Sequence, residues 1–278
     1  MSDFVYERKG NLFVPTQWAG SPWAEGFQHG GPVNALFALA AEEAAAACEL
    51  DVVRMTVDLF RPVPRIPLEL SWRFIRRGRR LANVECLLTN PETDEPISRS
   101  QIVLLKPSPQ ATAGPALATT PLAPKEAFAA IPFIPEAVRS QMPPGFHMSF
   151  SVHLGTDADG PGAWITTPLD LLPQTPMSPL QRSAAVADLS FALSMQAMGQ
   201  RSGASNDRWI GPPVINTDTS LYWQRPPQGD WFGFRPSGVS QERGIGIVDN
   251  ELHDAQGLLG RIIQATLVQT PETKPSES

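Results

Sequence analysis

Three short stretches of this 278-residue chain carry side chains whose type and spacing could do chemistry. The first is His29-Gly30-Gly31-Pro32, at the head of an alanine-rich run. Glycines at a helix start leave backbone N–H groups sterically open at the positive end of the helix dipole, where a carbonyl or an oxyanion could dock. The alternative is that they only make the turn into the helix. The second is Asp188, the only charged residue between Arg182 and Arg201. A carboxylate on the apolar face of a helix is costly to bury unless it is hydrogen-bonded, so it is either functional or caps a neighbouring loop. The third is Gln264, an amide inside the mostly apolar run Arg261 to Val268, which alone reads as structural.

The elements that must position these residues can be read from periodicity and punctuation. Pro32 suits a first helical turn, and Ala35, Ala38, Ala40, Ala41 and Ala44 to Ala47 give a small-surfaced helix that a curved sheet could enclose closely. A second helix is predicted over Pro179 to Met198, with Ser178 as cap, Gln181 three residues on and Gly199 as stop. At about 100° per residue, Asp188 shares a face with Ala184, Phe191, Ala192 and Met195, while Ser183, Ser190 and Ser194 fall opposite. Strands are expected at Val53–Phe60, Leu68–Ile75, Leu81–Leu88 and Ile97–Leu105. In the second half they are expected at Phe146–Leu154, Ala163–Thr167, Ile215–Trp223, Trp231–Phe234, Gly244–Leu252 and Leu259–Val268.

Landmarks recur along the chain. A helix is followed by a strand ending in Arg61-Pro62 or Arg225-Pro226, then by a late strand carrying Gln101 or Gln264. The offsets, 225 − 61 = 164 and 264 − 101 = 163, indicate an internal repeat. Between the repeats, residues 107–125 (PSPQATAGPALATTPLAPK) lack apolar periodicity and read as a surface linker. The expected units are therefore 1–106, 107–125 and 126–278, each repeat an α+β arrangement of one long helix on an antiparallel sheet.

Composition narrows the function. Lys plus Arg, 22, against Asp plus Glu, 28, leaves a net charge of −6, which argues against nucleic acid or anionic membrane as partner. Cys48 and Cys86 fit neither a zinc site nor a disulfide framework, so a cytoplasmic setting without metal is expected. Neither the start MSDFVYERKG nor the stretch Ala35 to Cys48 reads as a membrane segment. With 29 prolines, about one residue in ten, an all-helical bundle is disfavoured.

The segments HGGPVNALFALAAEE (29–43), DLFRP (58–62), AVADLSFAL (185–193), VINTDTSLYWQRP (214–226), DWFGF (230–234) and ERGIGIVDNELHDAQGLLGRIIQATLV (242–268) resemble, in order and spacing, the double hotdog acyl-CoA thioesterases of the acyl-CoA thioesterase II, or TesB-like, type. The resemblance implies a double hotdog fold, hydrolysis of acyl-CoA or related pantetheine thioesters, no cofactor, a role in fatty acid metabolism and room for a homo-oligomer. It also implies a water held by an Asp of the second helix, a Thr or Ser of the next strand and a Gln of the last strand. Asp188 and Gln264 match; the hydroxyl position falls on Asn216, with Thr217 next door, and a register slip that delivered Thr217 would reverse the strand face. His29, Gly30 and Gly31 then belong to substrate binding, with the Gly31 N–H facing the oxyanion and one composite site per chain. His29 as a base, Glu42 and Glu43 as a solvated face, and Asp218 as a partner on the Asn216 side of its strand are the remaining readings. Competing functions are a hotdog enoyl-CoA hydratase or dehydratase, pairing His29 with Glu42 or Glu43, and a non-catalytic acyl-CoA binder.

Overall fold

The computed structural model describes residues 3–108, 120–201 and 214–268. In the first half a hairpin of β1 (Tyr6–Lys9) and β2 (Leu12–Pro15) precedes α1 (Gly30–Ala46), which is followed by β3 (Asp51–Leu59), β4 (Leu68–Arg77), β5 (Leu81–Asn90) and β6 (Glu95–Leu105). The second half contains β7 (Ala129–Ile131), the single turn α2 (Glu136–Arg139), β8 (Ser151–Asp157), β9 (Gly160–Thr166), β10 (Asp170–Leu172) and β11 (Thr175–Pro176). It continues with α3 (Pro179–Ala187), α4 (Ser190–Arg201), β12 (Val214–Asn216), β13 (Asp218–Trp223), β14 (Phe232–Glu242), β15 (Ile245–Asp254) and β16 (Gly257–Val268). The short strands β1, β2, β7, β10 and β11 escaped the sequence reading, and Phe146–Met148, expected as strand, is a 3-10 turn.

Fourteen strands form one antiparallel sheet, in the order β1-β2-β4-β5-β6-β3-β13-β16-β15-β14-β9-β8-β7, with β12 also on β16. The sheet curls around the helices as two fused hotdog units. Alternation of buried and half-buried residues from Leu81 to Leu88 of β5 shows how period-two patterning turns one face inward. The enclosed α1 has Ala35, Ala38, Ala40, Ala41 and Ala44 with no exposed surface, the small-faced helix that such close wrapping needs. One apolar core runs through both units, from Tyr6 and Phe13 to Leu259 and Ile262.

The units join where β3 pairs with β13, Thr56 opposite Ser220. Their separation, 220 − 56 = 164, equals the repeat offset, so the pseudo-two-fold axis passes between these two residues, whose hydroxyl oxygens lie 3.3 Å apart. The glutamine landmark is corrected by the same register. Gln264 stands beside Thr219, whereas the first-half equivalent of Thr219, Met55, faces Ile102; Gln101 sits one residue away and is exposed. In a strand, a one-residue offset puts a side chain on the other face of the sheet.

The linker expected at 107–125 falls partly on residues 109–119, outside the described residues. Its end is not free surface: Arg235 donates to the Thr120 carbonyl at 2.7 Å, and Leu122 packs with Phe128 and Trp164 in a small second cluster.

The pairing of β13 with β16, next to the seam, has one steric requirement that can be tested. Gly260 lies opposite Trp223, and a Cβ there would overlap the Tyr222 carbonyl oxygen of the neighbouring strand. Gly260→Ala is therefore expected to cost about 3 kcal/mol or more in a denaturant titration. A loss within ~0.5 kcal/mol would show that the two strands can separate without penalty.

Candidate active site

The second helix begins as its sequence dictates. Ser178 Oγ accepts from Gln181 N at 3.1 Å, Gln181 Oε1 accepts from Ser178 N at 3.3 Å, and Pro179 takes the first helical position. It does not run unbroken to Met198. Leu189 N donates to Val186 O at 3.1 Å, a tighter turn than the α ladder, so α3 ends at Ala187 and α4 restarts at Ser190. Asp188 thus caps a helix end instead of lying mid-helix, and α4 continues past Gly199 to Arg201.

Gln264 holds this break open. Its Oε1 accepts from Ser190 Oγ at 2.6 Å and from Phe191 N at 3.3 Å. Its Nε2 donates to Thr219 Oγ1 at 3.0 Å and points between the Ala187 and Asp188 carbonyls, each 3.4 Å away. Buried completely, the amide spends its donors and acceptors on the ends of both helices rather than on a water beside the carboxylate.

The Asp188 carboxylate points out of the break toward the start of α1. Oδ1 accepts from Asn216 Nδ2 at 2.8 Å, and Oδ2 lies 2.9 Å from His29 Nδ1. Gly31 N is also 3.1 Å from that Nδ1. One ring nitrogen cannot accept from an amide and donate to a carboxylate together, and a bare lone pair facing a carboxylate oxygen is repulsive. The proton therefore sits on Nδ1 and is donated to Asp188, while the Gly31 N–H turns to the same carboxylate. Such docking needs the two glycines. A Cβ on Gly30 would lie 2.5 Å from Asp188 Oδ1, and one on Gly31 would lie 2.6 Å from the Ala185 carbonyl oxygen and from the Phe146 ring.

Burial alone would raise the Asp188 pKa. Hydrogen bonding from His29, the field of its ring and the donors on Asn216 and Gly31 outweigh it, holding the carboxyl below the ordinary aspartate range. The group is an anion fixed at a helix N-terminus across the seam between the units. Behind His29 its ring stacks on His147, centroids 6.3 Å apart, and meets Phe146 and Phe150 edge-on. His147 is buried with both nitrogens lacking a well-formed hydrogen bond, and burial, then the neighbouring His29, push its pKa down to about 4.

The structure therefore brings Asp188, Asn216, His29, Gly30 and Gly31 into one cluster, with Gln264 behind it. Thr217 is not in it: its side chain is exposed and its Oγ1 is 3.4 Å from the Ala265 carbonyl. The chain is irregular at Thr217, between β12 and β13, and Asp218 Oδ1 takes the Ala265 N–H at 2.7 Å. That irregularity resets the alternation, so Asn216 and Thr219 face inward while Asp218 pairs beside Asp58, away from the cluster. Gly31 is corrected as well, because its N–H is committed to the Asp188–His29 pair. Pro32 occupies the third helical position rather than the first.

Glu42 and Glu43 do not form a solvated face. Glu42 accepts from Ser178 Oγ at 2.5 Å and Gln181 Nε2 at 2.6 Å, and Glu43 is held by Arg8 and Trp72 Nε1. Ser183, Ser190 and Ser194 are buried, and Met195 is exposed, the reverse of the uniform-helix reading. Sequence reasoning also missed Thr219, and Asn34, one turn along α1 from Gly30. Asn34 is buried with its Nδ2 donating to nothing among the described residues; a polar residue in an alanine-rich buried helix was the available signal.

Residues 19–105 match the sequence pattern of the acyl-CoA thioesterase N-terminal domain, and residues 118–268 match that of the C-terminal domain. The chain belongs to the acyl-CoA thioesterase family. Among solved structures it is similar to a tesB protein of Mycobacterium avium subspecies paratuberculosis (TM-score 0.62, 16% identity, covering 95% of this chain and 96% of that one). It is similar also to the acyl-CoA thioesterase II TesB2 of Mycobacterium marinum (TM-score 0.62, 13% identity, 97% of each chain). A third is a hot dog-fold protein of Alicyclobacillus acidocaldarius (TM-score 0.64, 15% identity, 96% of each chain). No curated protein matches the sequence. Among the described residues no group of His, Cys, Asp and Glu could hold a metal ion, and no helix is long and apolar enough to cross a membrane.

His147 makes stability depend on pH. Unfolded, its imidazole takes a proton near 6.5; folded, it resists down to about 4, so stability falls as pH drops through that window, by about 3 kcal/mol in full. His253, whose pKa burial also lowers, adds a slope of the same sign. His147→Phe is expected to flatten, without abolishing, the stability–pH curve from pH 7 to 4 in denaturant titrations. An unchanged slope would reassign it to other groups.

Proposed function

We propose that the protein hydrolyses acyl-CoA, or a related pantetheine thioester, to the free acid and the thiol, at the seam where Asp188 meets the start of α1. The observation that carries this reading is a carboxylate only 9% exposed and held ionised by donors from both units, Asn216 from one and His29 and Gly31 from the other. Hydrolysis of a thioester needs a proton acceptor for water and donors for the carbonyl oxygen. The fixed anion supplies the electrostatic half of the first. One donor is free for the second, the Gly30 N–H at the start of α1, which has no acceptor among the described residues. Gln264 and Asn216 act by position, one fixing the helix break and the other the carboxylate rotamer. Since residues of both units are needed, there is one site per chain, in the cytoplasm where acyl-CoA is available.

The hydratase reading loses the pair it rested on, because Glu42 and Glu43 are engaged elsewhere and His29 meets Asp188 instead. A panel of acyl-CoA and enoyl-CoA substrates decides between the functions. Free thiol trapped by a disulfide reagent supports hydrolysis; loss of enoyl absorbance without thiol indicates hydration, and binding without either change indicates a carrier. Asp188→Asn is expected to lower hydrolysis on the order of 10²- to 10⁴-fold with an unchanged circular dichroism spectrum. A folded variant with wild-type turnover would remove Asp188 from the chemistry.

A further inference from the structure

Resting on the hydrolytic reading above, we infer that His29, through Nε2, is the group that takes the proton from the attacking water, and that Asp188 serves it as a fixed anionic partner. Asp188 is poorly placed to be the base itself. Oδ1 is occupied by Asn216 at 2.8 Å, Oδ2 by His29 at 2.9 Å, and the Gly31 N–H is directed at the same carboxylate. A carboxylate so fully hydrogen-bonded has little remaining basicity to offer a water. His29 has the opposite arrangement. Its Nδ1–H is fixed on Asp188, which sets the tautomer and leaves the Nε2 lone pair free. Nε2 has no partner among the described residues, and unlike the two His147 nitrogens it is not a sealed buried atom, so the small residual exposure of the ring includes the atom that would act.

The ring is also held in orientation. His147 stacks on it almost parallel, 14° between planes, and Phe146 and Phe150 close its edges. The titratable and charged groups facing it are Asp188 at the end of α3 and His147 in the turn before β8, with Arg139 of α2 acting behind His147. Asp188 stabilises the imidazolium that forms, and His147, kept neutral by its burial, leaves that charge uncontested. In the reaction a water proton passes to Nε2 as the water oxygen bonds to the thioester carbonyl carbon. The tetrahedral adduct then collapses, its C–S bond breaks with the electron pair going to sulfur, and the Nε2 proton is delivered to the thiolate. The products are the carboxylic acid and the thiol, and the imidazole returns to its starting state.

The test is the pH dependence of kcat/KM for acyl-CoA hydrolysis by the wild-type chain and by His29→Gln, which keeps a polar side chain but has no nitrogen that can take up a proton. Measured from pH 8 to 5, the expected wild-type profile falls toward the acid end as the Nε2 lone pair is lost to protonation. His29→Gln should lose on the order of 10²- to 10⁴-fold in kcat with KM little changed, and its residual activity should lack that fall. A wild-type profile flat across the range, or a folded His29→Gln that keeps the fall, would overturn the assignment while leaving thioester hydrolysis standing. If His29→Gln does not fold, the wild-type profile alone decides. Wild-type protein that cleaves no acyl-CoA overturns the functional reading, and this one with it.

Discussion

The contact of one carboxylate with one helix start organises the molecule around its seam. Asp188 ends a helix of the second unit and its oxygens lie against the first turn of α1 in the other. A buried anion of this kind is tolerable only if its hydrogen bonds are complete, and every neighbour supplies one: an amide from β12, a backbone N–H and an imidazole. The absence of side chains on Gly30 and Gly31 is a consequence of that contact. The helix break falls at the same point, with Asp188 between the end of α3 at Ala187 and the start of α4 at Ser190. Gln264 stabilises the break from both sides, which explains an amide buried in an apolar strand.

The pseudo-symmetry of the two units makes the asymmetry of the site instructive. α1 and α3 run antiparallel, and at their other end Glu42 places its carboxylate on the start of α3, accepting from Ser178 and Gln181. Each helix start thus receives a carboxylate from its partner. At the Glu42 end, burial raises the carboxyl pKa, only partly offset by those two neutral donors. At the Asp188 end an imidazole and stacked aromatic rings occupy the corresponding space, and the carboxyl is driven the other way. One end is closed by two neutral donors, and the other joins a carboxylate to an imidazole.

Much of this was legible from the sequence because it follows from patterning that the fold obeys. Alternation located the long strands, the Ser178-Pro179-Leu180-Gln181 signal located the start of α3, and the 164-residue offset marks the axis through Thr56 and Ser220. The isolated carboxylate and the Gly-Gly helix start were visible as unusual residues in their elements, and Asn216 was placed from the Arg225-Pro226 landmark. What failed depended on departures from regular geometry. Helical-wheel reasoning assumed an unbroken helix and so placed the buried serines opposite the apolar face. Strand alternation could not anticipate the irregularity at Thr217, which turned Thr219 inward and Asp218 outward. The use of Gly31 N–H to bind the cluster's own carboxylate rather than a substrate oxygen depends on a tertiary contact between units, and no local pattern encodes it.

The central claim, that Asp188 is an anion held by a proton on His29 Nδ1, is tested most directly by nitrogen-15 NMR of the histidine side chains, resolving protonation at each ring nitrogen. The account predicts that neutral His29 is the Nδ1–H tautomer, that its Nδ1 proton is shifted by a carboxylate hydrogen bond, and that this signature disappears in Asp188→Asn. A neutral His29 protonated on Nε2, with Nδ1 accepting the Gly31 N–H, would contradict it.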